Sequence, residues 1–148
     1  MAKVTWKMPT EFLDDIGKLE SWVADDIIPK VLEAGGKVVL AKVRGNLQSV
    51  IGKNLKYKSR STGELVSALG LSKPRLDRRG NYDVKIGFRE PRRRRGGSRA
   101  SNAMLANIIE YGKQGQPPKP FLKPAKSASR TPAIEAMKRK LEEEINKL

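Results

Sequence analysis

The stretch Ile108-Ile109-Glu110-Tyr111-Gly112, followed shortly by Pro117-Pro118-Lys119-Pro120-Phe121-Leu122-Lys123-Pro124-Ala125, restricts this chain more than any other. A helical stripe ends at a glycine, a residue that closes helices in the left-handed conformation at little cost. Prolines then fix φ and lower the entropy lost when the segment docks. Such a junction sets a backbone corner and a docking point, with Glu110, Gly112, Pro120, Phe121 and Pro124 as its structural residues. Aromatic residues make up only 5% of the chain, so one held in Pro-Phe-Leu-x-Pro is expected to anchor the chain's own hairpin or a neighbouring subunit. The ring itself is expected in the core. Glu110, beside an apolar stripe and a glycine stop, reads as a salt bridge or helix cap in preference to a catalytic acid.

Elsewhere the pattern alternates between helix and strand. Pro9-Thr10 starts a helix whose first turns carry Glu11, Asp14 and Asp15, and Phe12, Leu13, Ile16, Leu19, Val23 and Ile27 form its apolar stripe. The stripe resumes beyond Pro29 through Val31, Leu32, Val38, Val39, Val43, Leu47, Val50 and Ile51, which predicts two helical segments meeting at the proline. Gly35-Gly36 is a candidate further break. Thr62 reads as the N-cap of a helical turn, residues 63–69, ended by Gly70. Tyr82, Val84, Ile86 and Phe88 alternate with polar residues or glycine, the mark of a half-buried strand. Its hairpin partner is expected near residues 71–78, with the turn at Arg79-Gly80-Asn81 and Pro74 forcing an edge or bulge. Ser101 caps a helix carrying Met104, Leu105, Ile108 and Ile109, and Thr131-Pro132 marks the start of a last helix with the stripe Ile134, Met137, Leu141, Ile145 and Leu148. The fold class that follows is α+β: one domain over residues 1–148, with N-terminal helices and a C-terminal helix packed on a small antiparallel β-sheet.

Charge is distributed unevenly. Residues 1–36 carry 4 basic and 7 acidic side chains, residues 37–60 carry 7 basic and none acidic, and residues 91–130 carry 10 basic and 1 acidic. The net charge of +15 therefore comes from the middle of the chain, which suits nucleic acid or an acidic protein face. Arg92, Arg93, Arg94, Arg95 and Arg99 sit with glycines in a loop, residues 91–99, that cannot bury itself; it reads as flexible and either solvated or facing phosphate or an acidic partner. Lys37, Arg44 and Lys56 could track phosphates or simply solvate a helix face. There is no cysteine and no histidine, so no thiolate site, disulfide or imidazole base is available, and no glycine spacing matches a nucleotide-binding loop. No cofactor and no metal site is expected, and the chain does not read as an enzyme. No apolar run approaches the ~18 residues of a membrane span, and the first residues lack signal-peptide character, which points to synthesis in the cytosol and no membrane partner.

Four blocks in order carry a family resemblance: Thr62-Gly63-Glu64-Leu65-Val66-Ser67, Val84-Lys85-Ile86-Gly87, Ile109-Glu110-Tyr111-Gly112 and Pro120-Phe121-Leu122-Lys123-Pro124-Ala125. Together they resemble the tail-completion or neck proteins of tailed phages, typified by gene product ten of phage HK-ninety-seven, over roughly residues 10–145. The chain departs from that pattern at Lys113, where threonine is usual, at Lys123, where arginine is usual, and in its basic insertion 91–99. The resemblance implies a non-enzymatic virion protein of the tail or neck, present in the host cytoplasm during assembly. It further implies a homo-oligomeric ring, hexameric in the family, that joins the tail tube protein to the head connector or head-closure protein while genomic DNA passes through. The rival reading from charge alone is a nonspecific nucleic-acid-binding protein using residues 37–60 and 92–99.

The apolar fraction is only 38%, yet the first and last helices carry narrow apolar stripes. Full order is therefore expected to depend on oligomerisation, with residues 131–148 ordered by a neighbouring subunit.

Overall fold

The computed structural model describes residues 17–53, 63–89 and 101–148. The expected start at Pro9-Thr10, the stripe positions Phe12, Leu13 and Ile16, Lys56, Thr62, and Arg92–Arg95 with Arg99 lie outside the described residues.

One long helical strut organises the molecule. Residues 17–22 are helical, Val23–Ile27 form a π-helical turn, and helix α1 spans Ile28–Val50. The expected meeting of two segments at Pro29 is therefore a change of helical register and not a corner. The Ile28 amide reaches back five residues to the Val23 carbonyl. That wider turn places Pro29 at the start of the α-helical register, where its missing N–H is least costly. Gly35 and Gly36 do not break the helix either; both are buried in it.

The two glycines let other elements approach closely on two sides. A Cβ on Gly35 would lie 2.7 Å from Met137 Cγ, and one on Gly36 would lie 2.8 Å from Leu71 Cδ1. Met137 belongs to the C-terminal helix and Leu71 to a β-hairpin, so α1 is a central strut with a helix on one side and a hairpin on the other.

After the short helix α2 (Glu64–Ala68), the hairpin comprises β1 (Leu69–Leu71), β2 (Arg75–Leu76), β3 (Tyr82–Asp83) and β4 (Ile86–Phe88). Two antiparallel ladders form, β1 with β4 in the register Leu69↔Phe88 and Leu71↔Ile86, and β2 with β3 in the register Arg75↔Asp83. Pro74 falls between the ladders, where no strand requires its amide. At the tip, Asp77 Oδ1 accepts from the amides of Arg79 (2.7 Å) and Asn81 (2.9 Å), and Gly80 takes φ of 80°. Gly70 does not stop a helix as expected. The chain is already extended at Leu69, whose buried side chain enters the core while Gly70 pairs with Gly87.

Helix α3 spans Asn102–Tyr111, and the Ser101 hydroxyl accepts from the Met104 amide at 3.1 Å, the expected cap. Helix α4 spans Leu122–Ile145, so it begins well before Thr131-Pro132, and Pro132 lies in its interior. Pro132 is tolerated because Ala128, whose carbonyl it leaves unpaired, faces solvent. α4 packs mainly on α1 and not on the sheet. It runs antiparallel to α1, as Asn46 Nδ2 donates to the Phe121 carbonyl (3.3 Å) at one end and Lys30 Nζ pairs with Glu144 (3.4 Å) at the other. Its buried line is Ala125, Ser129 and Ala133, small residues that allow close helix approach, with the carboxylate Glu144 buried further along. The core around Val43, Leu47, Leu69, Ala106, Phe121 and Ala125 draws on α1, β1, α3 and the start of α4.

Candidate functional site

The junction between α3 and α4 is held by backbone hydrogen bonds, a glycine in close contact and one buried carboxylate. Gly112 closes α3 with φ of 77° and donates its amide to the Ile108 carbonyl at 2.8 Å. A Cβ there would sit 2.8 Å from both the Gln116 carbonyl oxygen and the Pro118 nitrogen, so conformation and close backbone approach both require glycine. Lys113 and Gln116 exchange backbone hydrogen bonds across a tight turn containing Gly115, and the chain doubles back until the Lys119 amide meets the Ile109 carbonyl at 2.7 Å. The Lys119 ammonium group also reaches the Lys53 carbonyl beyond the end of α1.

That reversal brings the start of α4 onto the side chain of Glu110. The carboxylate accepts from the amides of Phe121 (2.7 Å), Leu122 (2.9 Å) and Lys123 (3.0 Å). A helix begins with four amides lacking intrahelical partners. Here Glu110 takes three, and the fourth position is Pro124, which has no amide to satisfy. The Ala125 amide then makes the helix's own bond to the Phe121 carbonyl, long at 3.4 Å. Phe121 occupies the N-cap position but has no polar side chain to cap with. Its cap is supplied instead by a carboxylate eleven residues earlier.

Burial pushes the Glu110 carboxyl up, but the three backbone donors, with the Lys123 charge, more than offset this and hold it below the usual glutamate value. Glu110 is therefore an anion at the positive end of the α4 dipole. Its oxygens are committed to the backbone, so the group is unsuited to shuttling protons.

The Phe121 ring is fully buried and meets Phe88 edge-on, with centroids 6.4 Å apart and an interplanar angle of 74°. Pro120 is exposed and leads into the corner, while Tyr111 stands 77% exposed beside it. Glu110, Gly112, Pro120, Phe121 and Pro124 thus converge on one joint. Of the basic residues singled out in the sequence, Lys37 pairs with Glu33 at 2.9 Å, and Arg44 donates to the Leu69 carbonyl at 3.3 Å.

A second polar cluster was not anticipated. Glu144, buried on α4, is met by Lys147 at 2.8 Å, Lys140 at 3.0 Å and Lys30 at 3.4 Å. Hydrogen bonds from Lys147 and Lys140 lower its carboxyl to about 2 despite burial. The lysines at i−4 and i+3 were visible signals; Lys30, 114 residues distant, was not. Buried Asn102 was also missed: its amide donates to the Arg89 carbonyl at 2.9 Å, tying the start of α3 to the residue after β4. Among the described residues no group of three His, Cys, Asp or Glu side chains could hold a metal, and no helix is long and apolar enough to cross a membrane.

Neither curated proteins nor solved structures give a match to this chain. A family model does match, over residues 10–112, and is described as "Bacteriophage HK97-gp10, putative tail-component". The matched region includes the strut, the hairpin and α3, and it ends at Gly112, before Pro120–Ala125. That last block is connected to the matched region through Glu110, whose carboxylate caps it. With well over half of its length matched, the chain belongs to the HK97-gp10-like family of bacteriophage tail components.

Proposed function

We propose that this protein completes the phage tail and joins it to the head, as one subunit of a ring through which the genome passes. Its partners on this reading are further copies of itself, the tail tube protein and the head connector or head-closure protein. The ring would hold six copies, as the family resemblance implies. The role is structural, and the non-enzymatic reading rests on the family and on a joint whose carboxylate is committed to the backbone.

The observation that carries the proposal is the outer face of α4 in a chain of this family. Ile134, Leu141 and Ile145 are 43%, 38% and 49% exposed on a helix already packed on α1 through other residues, and Leu148, past its end, is 72% exposed. Apolar side chains left outside in this number suit burial against other subunits. Arg92–Arg95 and Arg99 are proposed to face the channel or a partner.

Negative-stain microscopy of the purified protein, alone and with tail tubes, tests the proposal. Rings on the head-proximal end of tubes are the expected result. Heads that join tails normally in cells lacking the protein would overturn it. Replacing Arg92–Arg95 with serine should leave folded protein intact and reduce joining or DNA retention.

A further inference from the structure

Two stretches of the chain carry basic residues and no acid. Residues 34–53 hold Lys37, Lys42, Arg44 and Lys53, and residues 111–134 hold Lys113, Lys119, Lys123, Lys126 and Arg130. Antiparallel packing lays them side by side, since Asn46 bonds the Phe121 carbonyl at 3.3 Å and Gly35 meets Met137. Positive charge that the sequence divides between two segments is thereby gathered around the first half of α4.

The outer side of α4 changes character along one line. At about 100° per residue, Lys123, Lys126, Arg130, Ile134, Leu141 and Ile145 fall within a stripe about 100° wide. All six are exposed. The first three are cationic, with exposed Ser127 and Thr131 beside them, and the last three are apolar. Lys123 and Lys126 also line an apolar cleft walled by Val39, Val43, Ile86 and Leu122. The cleft suits their methylene stems and leaves the ammonium groups to water.

Little acid offsets this charge. Glu110 also lines the cleft and draws on the Lys123 charge, but its oxygens are committed to three amides. Among the described residues no carboxylate pairs with Lys126 or Arg130. Glu135, the next acid along α4, is turned about 140° around the helix from Arg130. Protein interfaces keep charged residues out of an apolar centre. No large apolar side chain is exposed between Lys123 and Arg130 to form one. Lysine, arginine and hydroxyl groups are instead the set that meets nucleic-acid phosphate. From Lys123 to Arg130 the line runs about 10 Å, the axial rise of about three phosphates along one DNA strand.

We propose that the cationic half of this line, Lys123, Lys126 and Arg130, contacts the phosphodiester backbone of duplex DNA without reading its sequence. The apolar half is left for a neighbouring subunit. This rests on the ring reading above and assigns the start of α4 to the channel side of each subunit.

The test is binding of the full-length protein to a short fluorescent duplex of arbitrary sequence, between about 50 and 200 mM salt. Lys126→Gln with Arg130→Gln should weaken binding about 10- to 100-fold near 100 mM salt. The slope of log affinity against log salt should flatten by about two, at an unchanged melting temperature. Lys73→Gln with Arg75→Gln removes the same charge from the exposed side of the hairpin and should leave the slope near wild type. No duplex binding by the wild type at the lowest salt, an unchanged slope in the α4 pair, or an equal loss in the hairpin pair overturns the contact. So does an α4 pair that keeps duplex binding but loses binding to polyglutamate, which would assign the patch to an acidic protein. An unchanged slope together with normal head–tail joining would sink this contact and leave the proposed function standing. A flattened slope in a protein that joining does not require would do the reverse.

Discussion

Glu110 and Phe121 are locked together across the loop that joins the last two helices: the carboxylate of one accepts the amide of the other at 2.7 Å, and both are buried. The bond fixes where α4 starts, and α4 in turn places its line of small residues on α1. Removing the carboxylate would strand three amides at a partly buried helix start. Glu110→Ala should therefore cost about 2–3 kcal/mol, measured by urea unfolding. Glu110→Gln, which keeps the shape and loses the charge, should fall between. An unchanged midpoint in both variants would mean that water caps the helix equally well.

The same bonds set a pH dependence. The Glu110 carboxyl is lowered from its ordinary value of 4.5 and Glu144 is lowered from 4.5 to about 2. A depressed folded-state value means the unfolded chain binds protons first, so this stability is complete above about 4.5 and is lost as pH falls through the lowered values. Melting temperature should be flat with respect to these two groups near neutrality and drop between pH 4.5 and 2. In Glu110→Gln and Glu144→Gln chains the acid drop should be shallower. Identical acid profiles in the wild type and both variants would contradict the assignment.

Phe121 fills the core position of the junction, touching Phe88 edge-on inside the cluster formed with Leu47 and Ala125. Phe121→Ala should cost about 3–5 kcal/mol, as expected for deleting a fully buried ring, and Phe121→Leu much less. Thermal or urea unfolding of the soluble protein reads this directly. A wild-type melting temperature for the alanine variant would remove the ring from the core.

The sequence revealed those parts of the fold that rest on periodicity and punctuation. Alternation from Tyr82 to Phe88 marked the second arm of the hairpin, which breaks at Val84-Lys85 into β3 and β4, Ser101 and Gly112 bounded α3, and the proline-flanked Phe121 identified the corner. It was misleading where a tertiary contact overrode a local signal. Thr131-Pro132 looks like a helix start, but Glu110 had already started the helix at Leu122. Gly35-Gly36 looks like a break, yet the same lack of side chain that weakens an isolated helix lets Met137 and Leu71 pack against it. The stripe on the last helix was correctly seen as apolar, but the face that packs on α1 is made of Ala125, Ser129 and Ala133, which carry almost no hydropathy signal. Lys140 and Lys147 flank Glu144 at i−4 and i+3, but its third partner, Lys30, comes from the far end of the chain and leaves no local signal.

Gly35 makes a prediction with opposing terms. Alanine in a helix interior gains up to about 1 kcal/mol over glycine. A Cβ at Gly35, however, would lie 2.7 Å from Met137 Cγ, closer than carbon atoms can approach. Gly35→Ala should therefore destabilise unless Met137 moves aside, and Gly35→Leu should separate α1 from α4. In a Met137→Ala background the steric term vanishes and Gly35→Ala should become neutral or stabilising. Additive effects in that double-mutant cycle would show that the glycine and the methionine do not share space.

The outer stripe of α4 separates stability from assembly. The expectation that residues 131–148 are ordered only by a neighbour gives way to a helix packed on its own chain through Ala125, Ser129, Ala133 and Met137, with Ile134, Leu141 and Ile145 left exposed. Amide exchange over residues 125–141 should accordingly be slow even in a monomeric sample. Replacing Ile134, Leu141 and Ile145 with serine removes apolar area from solvent-facing positions, so each change should alter monomer stability by no more than about 0.5 kcal/mol. If subunits bury this face, the triple variant should still fold and melt like wild type but fail to enter tails, because each lost side chain forfeits roughly 1.5–3 kcal/mol of interface burial. Tails that incorporate the triple variant at wild-type levels would show that the stripe stays in solvent in the virion, and the subunit contacts would then have to lie elsewhere on the chain.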